Sequence, residues 1–454
     1  MKNSKVNIFF VGVGGIGMSA LARYFNAKNY NVAGYDRLNT SLIKQLESEG
    51  LWITTIDDSK EIPAEFNNAE ETLVVYTPAI RSDNRVLSYF KENGFECVKR
   101  AELLGRISKN IETIAVAGTH GKTTVSTMIA HILHYAGIKI NAFLGGISRN
   151  FDSNLLLNET AKLVIIEADE YDRSFLHLHP QTAVITSLSL DHLDIYRDEQ
   201  DLFEAYDKFS SQILNGGMLF VHQSVAKNIS KKSNYQLKTY GGEGADITIS
   251  NLHLKEGNFY FDIDCKGIKT NEICSGLPGL HNVENAAVAF GIASAYGVGA
   301  DVIKAALSSF LGIRRRFDVH VNKKDFVYID DYAHHPEAVD LLIRSVREMY
   351  PKRKITAVFQ PHLFSRTKDF GDEFADVLGG ADEVVLLELY AAREEPIQGI
   401  NSKWLADKIK NKNVSVVDNN KFFKYLEGAE VDILLTIGAG DISEIVPKII
   451  KQFK

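Results

Sequence analysis

The stretch Gly118-Thr119-His120-Gly121-Lys122-Thr123-Thr124 combines the residue types that grip a polyphosphate. It follows an apolar run, Ile114-Ala115-Val116-Ala117, and leads into Val125-Ser126-Thr127-Met128-Ile129-Ala130. That order predicts a strand, a tight glycine loop and a helix. Such a loop turns backbone N–H groups toward phosphate oxygens, and the helix N-terminus adds partial positive charge. Lys122 can reach the outer phosphates, and the Thr123 hydroxyl can hold a magnesium ion. Gly118, Thr119, Gly121 and Thr124 complete the expected ATP-binding set. The usual spacing would put a first glycine where this chain has Val116, so the loop is a compact variant with Gly118 taking the turn. An ordinary strand-to-helix turn has no need of Gly-Lys-Thr-Thr together.

Two further segments could serve the same phosphates. Glu167-Ala168-Asp169-Glu170 follows the apolar run Leu163–Ile166. An acidic residue at the end of such a strand holds Mg²⁺ directly or through water, and Glu167 is the expected ligand. A run of Asp and Glu is usually a solvated face; Glu167 stands out because it directly follows a buried-type strand. Ser189-Leu190-Asp191-His192-Leu193-Asp194 follows another apolar run. His192, beside two carboxylates, reads as a catalytic residue that binds or positions a second magnesium. A surface or satisfied core histidine is the competing reading, weakened by the place of His192 after a strand, where loops of an α/β domain converge.

A second glycine cluster, Gly12-Val13-Gly14-Gly15-Ile16-Gly17, fits G-x-G-x-x-G at positions 12, 14 and 17. It lies between a predicted strand and a predicted helix, and Asp36 ends the next strand, where it can accept from a ribose hydroxyl. The physics asks only for a backbone close to a diphosphate at a helix N-terminus, plus an acceptor for a sugar. Spacing alone favours NAD, and hence an oxidoreductase; a UDP-sugar meets the same description. Glycines placed only for helix–strand packing are the bland alternative.

The elements that must carry these loops are short. Val6–Val11, Val32–Tyr35 and Thr72–Tyr76 read as strands, with a helix at Met18–Asn29. Leu163–Ile166 and Ala183–Thr186 suit buried parallel strands. From Ile247 to Ile273 polar and apolar residues alternate, as in an antiparallel insertion. Phe326–Ile329, Ile355–Phe359, Glu383–Leu387 and Ile433–Ile437 begin a third alternating unit. At 454 residues the chain is long for one core. The fold class is α/β with three domains: 1–109, N-terminal and Rossmann-like; 110–318, central and P-loop ATPase-like with the antiparallel insertion; and 319–454, C-terminal and Rossmann-like. A net charge of −7 gives no basic field to collect nucleic acid. No apolar run is long enough to span a membrane, and the N-terminus has no signal-peptide pattern. Cys97, Cys265 and Cys274 have no metal-ligand spacing, which suits reduced thiols and a cytoplasmic protein.

The order of motifs resembles the Mur ligases, ATP-dependent amide-forming enzymes of peptidoglycan precursor synthesis. The resemblance spans the whole chain. It rests on Phe10–Ser19, Gly118–Thr124, Glu167–Glu170, Asp191–Asp194, Gly279–Ala287, Arg315-Arg316-Phe317, Asp330–Pro336 and Phe359–His362. Within the family the chain is most similar to members that join L-alanine to UDP-N-acetylmuramate, with ATP and Mg²⁺ as cofactors. The resemblance reverses the preference for NAD: it assigns Gly14, Gly15, Ile16, Gly17, Asp36 and Thr77 to the UDP-sugar, with Arg100-Ala101-Glu102 approaching the same ligand. It places Asn282 and Asn285 near adenine, although helix capping also suits Asn282. It puts Arg315 on the transferring phosphoryl group, Arg316 on ATP and Asp331 on the ATP ribose. His362 and Arg366 are assigned to the amino acid, and His335 or its neighbour His334 to catalysis beside it. Leu363 stands where the alanine-using members commonly have arginine. The alternatives are the tripeptide-recycling member of the family and, more distantly, an NAD-dependent oxidoreductase. The expected partners are the two substrates alone, with no nucleic acid and no membrane, in a monomer or weak homodimer.

Overall fold

Alternating apolar and amphipathic runs fold into three sheets in the computed structural model, which describes residues 5–109, 111–189, 195–255, 258–265, 267–392, 394–410 and 413–453. The first sheet is parallel throughout, in the order Trp52–Thr54, Asn31–Tyr35, Asn7–Val11, Thr72–Tyr76, Glu96–Lys99. The chain moves outward from Asn7–Val11 on one side, then returns to fill the other. The crevice past the carboxyl ends of Asn7–Val11 and Thr72–Tyr76 is therefore the switch point at which such sheets take ligands. The expected helix Met18–Asn29 runs instead over Ile16–Ala27: Gly15 caps it, and Asn29 turns to φ 62° and ends it.

The central sheet runs Tyr235–Gly241, Gly217–His222, Thr182–Ile185, Glu112–Ala117, Leu163–Glu167, Ile140–Ser148, Ser153–Leu156. Only the last of these strands is antiparallel to its neighbour. Three more strands, Ile247–Lys255, Asn258–Cys265 and Ile268–Cys274, extend the other edge as the insertion. The first of them joins that edge in parallel, Tyr240 and Gly241 pairing with Ile247 and Thr248. Ile114, Ala115, Val116 and Ala117 are all fully buried, which explains their unbroken apolar run.

The third sheet runs Asp318–Asn322, Val327–Asp331, Ile433–Ile437, Ile355–Phe359, Glu383–Leu386, Val414–Val416, with only the first strand antiparallel. The expected strand Phe326–Ile329 extends to Asp331, because Asp330 and Asp331 pair with Thr436 and Ile437. Contacts gather the chain into two bodies. One holds Met1–Asn251, Asp262–Ile273 and Glu284–Phe310, and with them the first sheet and the central sheet from Tyr235–Gly241 to Ser153–Leu156; the other holds Leu252–Phe261, Cys274–Val283 and Leu311–Lys454. Within the first body, helix Ile16–Ala27 packs on strands Ile140–Ser148 and Ser153–Leu156, with Tyr24 and Phe143 rings 5.4 Å apart. Among the described residues no helix is long and apolar enough to cross a membrane.

Candidate functional site

Three loops meet at the carboxyl edge of the central sheet: one after Glu112–Ala117, one at the end of Leu163–Glu167 and one after Thr182–Ile185. The first is the glycine loop. Gly118 has φ +129°, and a Cβ there would fall 2.0 Å from the Thr186 hydroxyl, so no other residue fits. The loop is stapled to residues 186–189. Thr119 N–H donates to the Ser187 carbonyl (3.0 Å), and the Thr119 hydroxyl donates to the Ser189 carbonyl (2.9 Å). His120 N–H donates to the Ser187 hydroxyl (2.8 Å), and the Thr186 hydroxyl donates to the His120 carbonyl. Thr119, assigned to ATP, thus spends its hydroxyl on the loop's own shape. Gly121 caps helix Lys122–Tyr135, with the Asn285 amide oxygen beside it, 2.8 Å from where a Cβ would stand. Thr123 and Thr124 lie in the first turn of that helix, both buried.

Lys122 is enclosed. Its ammonium donates to the carbonyls of Gly118 (2.6 Å) and Thr119 (3.2 Å) and pairs with both oxygens of Glu170 (2.8 and 2.7 Å). Burial pulls its pKa down, but Glu170, Asp169 and Glu167 outweigh that and hold it above the usual lysine value. Burial pushes the Glu170 carboxyl up to about 7, against the pull of Lys122. The Tyr196 hydroxyl donates to the Glu170 carbonyl (2.7 Å) and closes the site from below.

Glu167 and Thr123 are brought together as a magnesium site requires. The Thr123 hydroxyl donates to Glu167 Oε1 (3.1 Å), and the Gly145 N–H donates to Oε2 (3.0 Å). A carboxylate and a hydroxyl side by side are hard oxygen donors, the set Mg²⁺ prefers. A Cβ on Gly145 would stand 2.1 Å from that carboxylate, so the close approach requires glycine. His192 lies outside the described residues.

The first-domain glycine loop completes a second site in the same body. Gly14 N–H donates to Asp36 Oδ2 (2.8 Å), and Leu38 N–H to Oδ1 (3.1 Å), so Asp36 braces the loop as well as ending its strand. Thr77 closes on the loop from the neighbouring strand, its methyl 2.7 Å from where a Gly12 Cβ would stand. Ile16 and Gly17 open helix Ile16–Ala27. Above that helix end sits Arg100, whose Nη1 lies 2.4 Å from a Cβ on Gly17 and whose Nη2 pairs with Asp169 (2.8 Å). Beside this helix end lies a cavity of about 80 Å³, with Ile16, Gly17 and Arg100 on one side and Gly145, Glu167 and Asp169 on the other. Arg100 and Asp169 therefore connect two sites that the sequence offers as separate motifs. Their pairing, across 69 residues of chain, has no local signature.

The second body holds the remaining assigned residues. Asn282 lies in the first turn of helix Leu280–Ala295, and its amide donates to the Pro278 carbonyl (2.5 Å). Arg315 takes φ +63°, donates to the Gly438 carbonyl (2.5 Å) and lies 3.5 Å from Asp330. The guanidinium groups of Arg315 and Arg316 stand 5.1 and 5.2 Å from the Tyr332 ring. Asp331 accepts from the N–H groups of Phe317 (2.6 Å) and Ala333 (2.7 Å), so it holds the turn on either side of it. Asp330, absent from the expected set, is fully buried; burial raises its pKa to about 6, against Arg315 and the Thr436 hydroxyl. His362 stacks on Tyr390 at 5.7 Å, with the His334 ring 6.0 Å away. His335 turns instead to Phe370 (4.9 Å). Arg366 opens off the short helix Phe364–Asp369, which follows Leu363 at φ +68°.

Comparison with known proteins agrees along the whole chain. The model described as the Mur ligase family catalytic domain matches residues 7–111, that of the Mur ligase middle domain 116–293, and that of the Mur ligase glutamate ligase domain 315–440. The UDP-N-acetylmuramate–L-alanine ligase of Christiangramia forsetii is 44% identical over 98% of this chain and 97% of its own. That of Porphyromonas gingivalis is 44% identical over 97% of each. The crystal structure of the UDP-N-acetylmuramate–alanine ligase of Thermotoga maritima superposes with a TM-score of 0.84, at 25% identity, covering 98% of this chain and 99% of that one. The chain belongs to the Mur ligase family.

Proposed function

We propose that this chain is an ATP-dependent ligase that joins L-alanine to the lactyl carboxylate of UDP-N-acetylmuramate, giving UDP-N-acetylmuramoyl-L-alanine, ADP and phosphate. The observation that carries the reading is a cavity lined by Ile16, Gly17 and Arg100 on one side and by Glu167, the hydrogen-bond partner of Thr123, on the other. A sugar nucleotide gripped at Gly14–Gly17 would extend its acid toward ATP held at Gly118–Thr124.

A carboxylate is a poor electrophile, so its oxygen first attacks the γ-phosphorus and ADP leaves. The α-amine of L-alanine then attacks the acyl carbon, inorganic phosphate departs, and the amine loses its proton. Lys122 and the loop N–H groups offset the charge that gathers on the phosphoryl oxygens. Glu167 and Thr123 would hold Mg²⁺, which when bound neutralises phosphate charge. Arg100 guards the sugar's phosphates, and Asp169 keeps its guanidinium oriented. For the amino acid, His362, Arg366 and His334 form the polar group in the second body; the stack of His362 on Tyr390 favours His334 over His335 as its companion. The sugar-nucleotide reading of Gly12–Gly17 leaves no role for NAD. The protein would work in the cytoplasm, where these substrates are made.

An ADP-release assay with UDP-N-acetylmuramate and each amino acid in turn tests the reading. L-Alanine should give the highest kcat/KM, and ¹⁸O placed in the lactyl carboxylate should emerge in the released phosphate. Release that ignores the amino acid, or phosphate without label, would refute it.

A further inference from the structure

A line of polar contacts crosses from the central sheet into the first domain and ends at Ile16 of its glycine loop. Asn154 is fully buried, and Arg23 is 8% exposed. Arg23 Nη1 donates to the Asn154 side-chain oxygen (2.5 Å), while its Nε and Nη2 form a fork on Glu49 (2.8 Å each). The Asn154 amide nitrogen donates to the Ile16 carbonyl (2.6 Å) and to the Ser19 hydroxyl (2.9 Å). Every polar atom of the asparagine side chain is thus engaged.

The two ends of this line matter. Ile16 is the first residue of the helix whose N-terminus faces the cavity. Asn154 sits on strand Ser153–Leu156, which pairs with Ile140–Ser148, and that strand supplies the Gly145 N–H to Glu167. These hydrogen bonds are one route from the sugar-nucleotide helix to the strand that carries Gly145; the Arg100–Asp169 pair is another. Apolar packing such as Tyr24 on Phe143 holds the helix against the sheet but permits it to slide or rotate; three directional hydrogen bonds do not. An in-line attack needs reacting atoms about 3–3.5 Å apart, and a shift of about 1 Å costs about 10²-fold in rate.

We propose that Asn154 is a positioning residue that sets the distance between the sugar-nucleotide loop and the Glu167–Thr123 metal position. The inference rests on the function proposed above and adds a determinant of its geometry. Asn154→Asp is the informative variant: it keeps an acceptor for Arg23 but cannot donate to Ile16 or Ser19. Ser19→Ala removes one acceptor with no change of charge. Both are measured in the full-length protein by thermal unfolding, by titration with a fluorescent ATP analogue, and by alanine-dependent ADP release. For Asn154→Asp, which sets a carboxylate oxygen against the Ile16 carbonyl, the unfolding midpoint should fall, but the affinity of the folded protein for the ATP analogue should stay near wild type while kcat per folded site falls about 10- to 100-fold. Ser19→Ala should lower kcat severalfold in the same pattern. A merely structural role would lower the midpoint and weaken nucleotide binding together, with kcat per folded site unchanged. That result, or wild-type kcat in both variants, overturns the proposal. Failure of the functional reading would show in the wild-type arm, failure of the positioning role only in the ratio of variant to wild type.

Discussion

Replacing Glu170 with glutamine tests the buried pair beneath the glycine loop. The usual carboxyl value of 4.5 rises to about 7 here because burial penalises the charged form more than Lys122 favours it. Between those two values the folded protein holds a proton that the unfolded chain has released. The stability this group contributes is therefore complete below pH 4.5 and is lost as pH rises through about 7. At 1.36 kcal/mol per pH unit, the difference is about 3 kcal/mol between pH 4.5 and 8. The groups facing Glu170 are Lys122, Asp169, Tyr196 and Tyr206. Lys122 stays protonated and both tyrosines stay neutral across that range, since each is held above its ordinary value. Glutamine does not titrate. The unfolding free energy of wild type minus that of Glu170→Gln, from urea titrations at a series of pH values, should fall by about 3 kcal/mol from pH 4.5 to 8 and then level off. A difference that stays flat within about 1 kcal/mol across that range would show that Glu170 is ionised at its ordinary value, and the account of the pair would be wrong.

Lys122→Ala should keep the fold and UDP-N-acetylmuramate binding, measured calorimetrically, while turnover falls by about 10²–10³-fold or more; near-normal ADP release would remove Lys122 from the chemistry. Gly145→Ala drives a methyl into the Glu167 carboxylate and should raise the magnesium concentration for half-maximal rate about tenfold, with circular dichroism unchanged. An unaltered magnesium profile would mean that Glu167 is no ligand. His362→Ala should raise the KM for L-alanine about tenfold and leave ATP affinity as it was; equal losses for both substrates would place His362 elsewhere in the mechanism.

The parts of the site that were legible in sequence are local. Strand, glycine turn and helix N-terminus lie within a few residues of one another, so Gly118–Thr124 and Gly12–Gly17 announce themselves, and Glu167 is marked by the buried strand before it. What the sequence hides are partners far apart along the chain. Glu170 looks like one more exposed acid in Glu167–Glu170, yet it is the buried hydrogen-bond partner of Lys122, 48 residues away. Asn154 and Arg23, 131 residues apart, carry no motif. Asp331 carries no sign in sequence that its carboxylate also accepts two backbone N–H groups of its own turn. Strand ends shifted by a residue or two because hydrogen bonding, not hydrophobicity, decides them: Asp330 and Asp331 continue a strand that their charge would seem to end.

The stapling of the glycine loop by residues 186–189 has a consequence for inhibition. Because serine and threonine groups of the protein already fix that backbone, a phosphate mimic would meet a socket that is preorganised and would lose little affinity to ordering it. The same rigidity leaves no adaptable surface there for telling one nucleotide-binding enzyme from another, so a selective compound would have to draw its discrimination from the sugar side of the cavity.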